Sequence, residues 1–221
     1  DIPGHNQMGP VVHDELCLAV NEVTFVGQAM FLIAADDEEI CREAEQLITI
    51  DYEALEPILD IEAAIQKNNL LGPVRKIERG DVTQALENSS HRIQGTLRTG
   101  AQEHWYLETQ SCLCLPGEDK EMFVYSSTQH PSETQAIIAE ILGLPKNEVV
   151  VEVRRMGGAF GGKETQANHT AAWAALLCQA TKRPVKIRLF RDDDQIMTGK
   201  RHRFLSHYEA GFDDEGLIKA V

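Results

Sequence analysis

The residue types best suited to chemistry lie in one stretch, Arg155-Met156-Gly157-Gly158-Ala159-Phe160-Gly161-Gly162-Lys163-Glu164. Four glycines among the six residues 157–162 leave the backbone with few side chains in its way. Another molecule can then come into contact with the peptide groups. The β-branched run Val149 to Val153 reads as a buried strand before the loop, and Glu164 to Lys182 reads as a helix after it. The first N–H groups of a helix have no internal partner and carry partial positive charge. Such a loop suits an anion or a polar cofactor. The stretch nearly fits the phosphate-binding pattern, with Gly157, Gly162 and Lys163 in place, but Glu164 stands where Ser or Thr should ligate magnesium. The dinucleotide pattern G-x-G-x-x-G fails because the glycines come in adjacent pairs. The structural alternative is a glycine-rich connection that lets a helix pack on a sheet.

Individual residues carry paired readings. Gln129 falls where a strand gives way to a helix, and its amide offers both donor and acceptor, for a ligand or for loop backbone. Glu164 opens the following helix, where the dipole alone accounts for a carboxylate. The ring of Phe160 is expected to anchor the loop in the core. Lys163 is either an anion partner or a solvated loop charge. Glu103 and His104 form no expected acid/base pair, because sequence neighbours rarely face each other. Gln102 reads as a loop residue.

Three segments in the same order resemble the molybdenum hydroxylases, the xanthine dehydrogenase and aldehyde oxidase family. They are Gly100-Ala101-Gln102-Glu103-His104-Trp105-Tyr106-Leu107-Glu108-Thr109, then Ser127-Thr128-Gln129 with a helix ending Leu142-Gly143-Leu144-Pro145, then Met156 to Thr165. The resemblance covers almost the whole chain and is closest to the xanthine dehydrogenase branch. It implies a molybdenum–molybdopterin cofactor held by its own dithiolene sulfurs, with hydrogen bonds and shape supplied by protein. Gln129 then lies beside the metal centre, and the Phe160 N–H points toward the metal's ligands. Gly161 lets the cofactor approach. Glu164 matches the Glu that binds the purine ring in xanthine-acting members, and aldehyde oxidases commonly have an apolar residue there. The implied reaction is hydroxylation of xanthine or hypoxanthine with oxygen from water. Electrons leave through iron–sulfur clusters and FAD, on other domains or subunits, to NAD. The family's general base, a Glu, and most pterin contacts lie downstream of the matched segments. The chain is thus expected to be part of a catalytic subunit and inactive alone. The alternatives are an aldehyde or other N-heterocycle hydroxylase of the same family, and a non-catalytic binding or assembly module on the same scaffold.

Composition agrees with a soluble, acidic protein. The 221 residues carry 35 acids against 21 bases, a net charge of −14, which argues against nucleic acid or an anionic membrane as partner. Hydrophobic residues make up 43%, enough for a core, yet no apolar run is long enough to span a bilayer. Five scattered cysteines without a C-x-x-C spacing read as reduced thiols in a cytoplasmic protein, not as a metal or disulfide framework. Cys112 and Cys114 are expected on one face of a strand.

The elements that must position these residues follow from pattern. Residues 23–28, 29–35 and 48–52 read as strands, and 36–47, 60–67 and 81–88 as helices. Strands are expected at 91–96, 110–115, 122–127 and 185–190, and a hairpin at 204–221. A helix over 132–142 has Ser132 as N-cap, Gln135 in the capping-box position and Gly143 as its stop. Residues 191–203 read as a charged loop. The whole is α+β: an incomplete α/β hammerhead domain over 1–69, a linker over 70–80, and the first part of a molybdopterin-binding domain over 81–221, with mixed sheets and packed helices.

Overall fold

A computed structural model describes residues 2–221. In chain order the elements are α1 (Glu38–Gln46), α2 (Ile61–Gln66), α3 (Val82–Glu87), β1 (His91–Thr99), β2 (Ser111–Pro116), β3 (Met122–Ser126), α4 (Pro131–Leu142), a 3-10 turn (Lys146–Glu148), β4 (Val149–Glu152), α5 (Ala167–Thr181), β5 (Val185–Arg188), α6 (Arg191–Met197), β6 (Phe204–Phe212) and β7 (Ile218–Ala220). Two mixed or antiparallel sheets with packed helices make this the α+β class. The expected divisions at 69 and 81 are boundaries in sequence, whereas both compact units are discontinuous. Residues up to Ile50 belong with Glu103–Lys200, and Asp51–Gln102 belong with Arg201–Val221.

The first unit holds the core. Its sheet has the order β4-β3-β2-β5, with β3 and β4 parallel and the other pairs antiparallel. Parallel strands need a crossover, and α4 supplies it between β3 and β4. Strand alternation sends Cys112, Cys114 and Val124 to one face, where Ile138 and Ile141 of α4 and Ala171, Ala174 and Ala175 of α5 cover them. Small residues on α5 let the helix lie close on the strands, and the Cys114 thiol sits 3.8 Å from the Ala171 carbonyl. All five cysteines are free. The second unit pairs β1 with β6 over their full length, His91 opposite Phe212 and Thr99 opposite Phe204, and adds β7 beyond β6.

Helix starts follow the short acids in the sequence. Asp37, Asp60 and Asp81 each accept the N–H three residues on, at 3.0, 2.7 and 2.9 Å. The expected cap of α4 is different. The helix begins at Pro131 with His130 as N-cap, and no side chain caps it. Proline's preset φ suits the first helical position, so the helix starts before Ser132. Gln135 instead donates to the Lys146 and Val149 carbonyls, at 3.1 and 2.7 Å, tying α4 to the start of β4. Gly143 ends the helix at φ 65°, as expected.

Three other expectations are corrected. Residues 23–35 and 48–52 belong to no strand, and the first run is broken by a turn in which the Gln28 N–H donates to the Phe25 carbonyl at 3.3 Å. Apolar and β-branched composition favours extension, but a strand also requires a neighbour to complete its ladder. The run 149–153 is an edge, not a buried strand: Val149 is buried while Val150 is 49% exposed. The charged stretch 191–203 begins with a helix, α6, whose first turn carries Asp192, Asp193 and Asp194. Acidic residues are stabilised at that end by the exposed N–H groups.

The core sets a stability test. Ile138 is wholly buried between sheet and helices. Ile138→Ala should destabilise by about 2–5 kcal/mol, read as a lowered urea midpoint. Ile77→Ala, at a fully exposed position, should stay within about 0.5 kcal/mol.

Candidate functional site

The glycine loop joins β4 to α5 and is held from two sides. Gln129, just past β3, accepts from the Gly161 N–H at 3.0 Å and the Lys163 N–H at 3.4 Å through Oε1. Its own N–H donates to the Lys163 carbonyl at 2.8 Å. The Thr128 hydroxyl reaches the same carbonyl at 3.3 Å. Gln129 therefore does satisfy loop backbone, but with its acceptor only. Its amide Nε2 meets no acceptor among the described residues and remains a free donor.

On the other side lies a charged pair that the sequence reading did not assign. Lys163 is neither solvated nor free for an anion: it is wholly buried. Its ammonium donates to Glu108 Oε2 at 3.0 Å and Ser127 Oγ at 2.9 Å, and lies 4.7 Å from the Tyr106 ring centroid. Glu108 Oε2 also accepts from Ser127 Oγ at 2.6 Å and the Gly157 N–H at 2.9 Å. The phosphate-loop reading needs this lysine turned outward, so the structure removes it. Burial holds the Lys163 ammonium below its ordinary lysine range despite Glu108. Burial also opposes charge on Glu108, but the hydrogen bonds from Ser127, Gly157 and Lys163 outweigh it and hold the carboxyl below the usual range. The two shifts pull in opposite senses for the pair. The short contacts decide it, because an ammonium 3.0 Å from a carboxylate with two further donors is a charged pair at neutral pH.

A second buried network supports the same loop. Asp194 of α6 accepts from the Tyr106 hydroxyl and the Gln110 N–H, both at 2.7 Å. Gln110 Nε2 donates to the Tyr106 oxygen at 3.0 Å and to the Gly162 carbonyl at 2.9 Å. Burial, then Asp194, pushes the Tyr106 phenol up, so it stays a donor. Gly162 lies so near this layer that a Cβ would sit 2.7 Å from both His104 Cγ and Tyr106 Cε1. Gly161 is the opposite case. Its φ is +90°, and an added Cβ would meet nothing nearer than His104 Nε2 at 4.0 Å, so its outer side is open.

Phe160 and Glu164 take positions other than those expected. Phe160 has φ 54° and is 75% exposed, so it does not anchor the core. A bulky residue in this backbone region is a strained one. Its N–H has no acceptor among the described residues. Glu164 does not open the helix: α5 begins at Ala167, with Gln166 as N-cap. Glu164 lies in the preceding turn, its N–H 3.4 Å from the Gly161 carbonyl. Its exposed carboxylate has no partner among the described residues, and the helix dipole does not account for it. Glu103 and His104 form no acid/base pair: the ring Nδ1 is 4.0 Å from Glu103 Oε1, and Lys200 lies 2.8 Å from Oε2. Gln102 pairs with Arg201 through backbone. No group of three His, Cys, Asp or Glu that could hold a metal occurs among the described residues.

Sequence reasoning missed Glu108, Ser127, Tyr106, Gln110 and Asp194 as parts of the site, and of Lys163 it weighed only an anion partner and a solvated charge. Glu108, Tyr106 and Ser127 lie inside the quoted motifs, but their partners Lys163 and Asp194 stand 36 to 88 residues away. Protonating Glu108 should weaken the fold. Its folded carboxyl lies below the unfolded value of about 4.3, so its stabilisation is full above that value and is lost as pH falls below it. Glu108→Gln should flatten the loss of urea midpoint between about pH 5 and pH 3 relative to the parent chain.

Comparison with known proteins bears on the whole chain. Residues 62–221 match the molybdopterin cofactor-binding domain family, and residues 1–56 match the aldehyde oxidase and xanthine dehydrogenase a/b hammerhead domain. Xanthine dehydrogenase of Dictyostelium discoideum is 44% identical over 100% of the chain, and xanthine dehydrogenase/oxidase of Gallus gallus is 42% identical over 100%. Aldehyde oxidase 4 of Cavia porcellus is also 42% identical over 100%. The chain spans 16% of the length of each of these relatives. In fold it is similar to the aldehyde oxidoreductase from Desulfovibrio gigas, with a TM-score of 0.84 at 22% identity, over 98% of this chain and 26% of that one. Quinoline 2-oxidoreductase from Pseudomonas putida 86 gives 0.82 at 23%, over 92% and 27%. Two family matches in tandem and relatives aligned from end to end of the chain identify it as a member of the xanthine dehydrogenase and aldehyde oxidase family.

Proposed function

We propose that this chain serves in a molybdenum-dependent oxidoreductase of the xanthine dehydrogenase kind, one that hydroxylates purines such as xanthine or hypoxanthine with water as the source of oxygen. One observation carries the reading. Inward groups of the loop, among them the Gly161 N–H, the Gly162 carbonyl and the Lys163 ammonium, are taken by protein partners, while the Phe160 N–H, the Gln129 Nε2 amide and the Glu164 carboxylate have none among the described residues. Gln129, Phe160 and Gly161 fit a bound molybdopterin, with two donors and an open glycine face. The chemistry supplied by that group when bound is two-electron oxidation of a carbon–hydrogen bond. The loop's own part is to offer fixed donors in a strained, pre-set backbone and to keep side chains away from the approach.

Glu164 binds and orients the purine. A purine presents ring nitrogens and carbonyls to a carboxyl group, and negative charge grows on the ring during hydroxylation. A carboxyl that donates or shares a proton there favours the transition state over the ground state. The reading also calls for iron–sulfur and FAD-bearing domains or subunits, and for NAD as acceptor. The general base belongs to a part of the enzyme other than these residues. Five free thiols support a cytoplasmic setting, and no described helix is long and apolar enough to cross a membrane. An aldehyde substrate is the second reading, favoured by the match to an aldehyde oxidase at 42% identity.

Two measurements test this. Glu164→Ala in the holoenzyme should lower kcat/KM for xanthine by about ten- to a hundred-fold, the equivalent of one charged hydrogen bond of about 1.5–3 kcal/mol. A small aldehyde, with no ring to bind, should lose little at matched molybdenum loading. Equal losses would leave the family but remove the preference for purines. Gly161→Val should cut molybdenum content more than it cuts stability. The new side chain occupies the open face, while the positive φ costs roughly 1–2 kcal/mol. Normal molybdenum content would contradict the cofactor-loop reading.

A further inference from the structure

One carboxylate oxygen holds both ends of the loop. Glu108 Oε2 accepts from the Gly157 N–H at one end and from the Lys163 ammonium at the other. The Glu108 N–H returns a bond to the Gly157 carbonyl at 3.1 Å. Ser127 bridges the two charges, donating to Glu108 and accepting from Lys163. Glu164 follows Lys163 directly. The lysine side chain is wholly buried, and the glutamate next to it is exposed, its carboxylate without a partner among the described residues. Only the lysine end of this pair is buried, the Glu108 side chain being 40% exposed, and bringing a charge out of water offsets much of what its attraction to a partner contributes. The pair's distinctive property is direction: each hydrogen bond fixes an atom at a set distance and angle.

We propose that Glu108 and Lys163 are a positioning pair for substrate choice. By fixing the span from Gly157 to Lys163, they set where the Glu164 carboxylate stands against the purine ring. The proposal rests on the purine-hydroxylating reading above. Neither residue touches the substrate; both act through the loop. The pair should therefore matter more for substrates that use Glu164 than for those that do not.

The test is a double-mutant cycle in the holoenzyme, at matched molybdenum content. Lys163→Met keeps the stem and removes the charge. It should lower kcat/KM for xanthine by roughly ten- to a hundred-fold, as expected for a reacting partner displaced by about an ångström. The loss for a small aldehyde should be smaller. Adding Glu164→Ala to Lys163→Met should cost little more for xanthine, because a misplaced carboxylate no longer contributes. Losses that multiply, or equal losses for xanthine and aldehyde, would overturn the pair as a positioning device and leave the purine reading intact. If Glu164→Ala alone leaves xanthine turnover unchanged, the purine reading falls and the proposal with it, and that result is visible in the single variant. If Lys163→Met does not accumulate, Ser127→Ala removes one hydrogen bond from each partner at nearly constant volume. It should reproduce the same fall in the xanthine-to-aldehyde ratio on a scale of a few-fold, and an unchanged ratio would overturn the proposal.

Discussion

A lysine ammonium without access to water must find its partners inside the protein. Lys163 is in that position, and the arrangement around the loop follows from it. Its three donors are directed by Glu108 and Ser127, with the face of Tyr106 beside them. Tyr106 must in turn place its hydroxyl, and it does so on Asp194, which also takes the Gln110 N–H. Gln110 then has an amide free to hold the Gly162 carbonyl. Most polar groups brought in to satisfy one neighbour are themselves satisfied by the next, the exception being the buried Gln110 Oε1, which has no partner among the described residues. The chain of demands ends at the loop backbone.

The result is a loop with two different sides. Toward the protein, carbonyls and N–H groups are bonded by Glu108, Gln110, Thr128 and Gln129. The Phe160 N–H, the Gln129 Nε2 and the Glu164 carboxylate have no partner among the described residues. Rigid support under a set of free polar groups is what a site needs if it is to discriminate by geometry, since little order is left to be imposed on binding. The strained backbone at Phe160 belongs to the same economy of structure. A bulky residue at φ 54° persists only where its surroundings over-determine it, and bonds to Gly161 and Gly162 lie on its C-terminal side.

The surrounding fold explains why the loop sits where it does. The β3–α4–β4 crossover brings the end of β3, with Ser127, Thr128 and Gln129, beside the loop that leaves β4. Parallel pairing between β3 and β4 sends both strands out at the same edge, so the segments after them are neighbours. Ligand groups gather outside the carboxyl ends of such strands for this reason. Small residues on α5 add to the effect by letting the helix lie close under the sheet.

Local chemistry was legible in the sequence. The glycines marked the loop, pattern placed helices over 36–47, 60–67 and 81–88, Gly143 marked a helix end, and alternation placed Cys112 and Cys114 on one face. These depend on a residue and its nearest neighbours, so a linear reading reaches them. The three motif segments likewise identified the family, because order and spacing are properties of the chain. What the tertiary structure decided was partnership. The sequence showed a lysine in a loop, but only the fold revealed that it turns inward to Glu108, 55 residues away. It showed a glutamate before a helix, but only the fold placed it ahead of the first turn with its carboxylate free. It showed apolar runs at 23–35 and 149–153, but only the fold left the first without a ladder and put the second at an edge. The physical reason is common to all three. Propensity and pattern are local quantities, whereas burial, strand pairing and the pairing of charges are set by which distant residues the folded chain brings together.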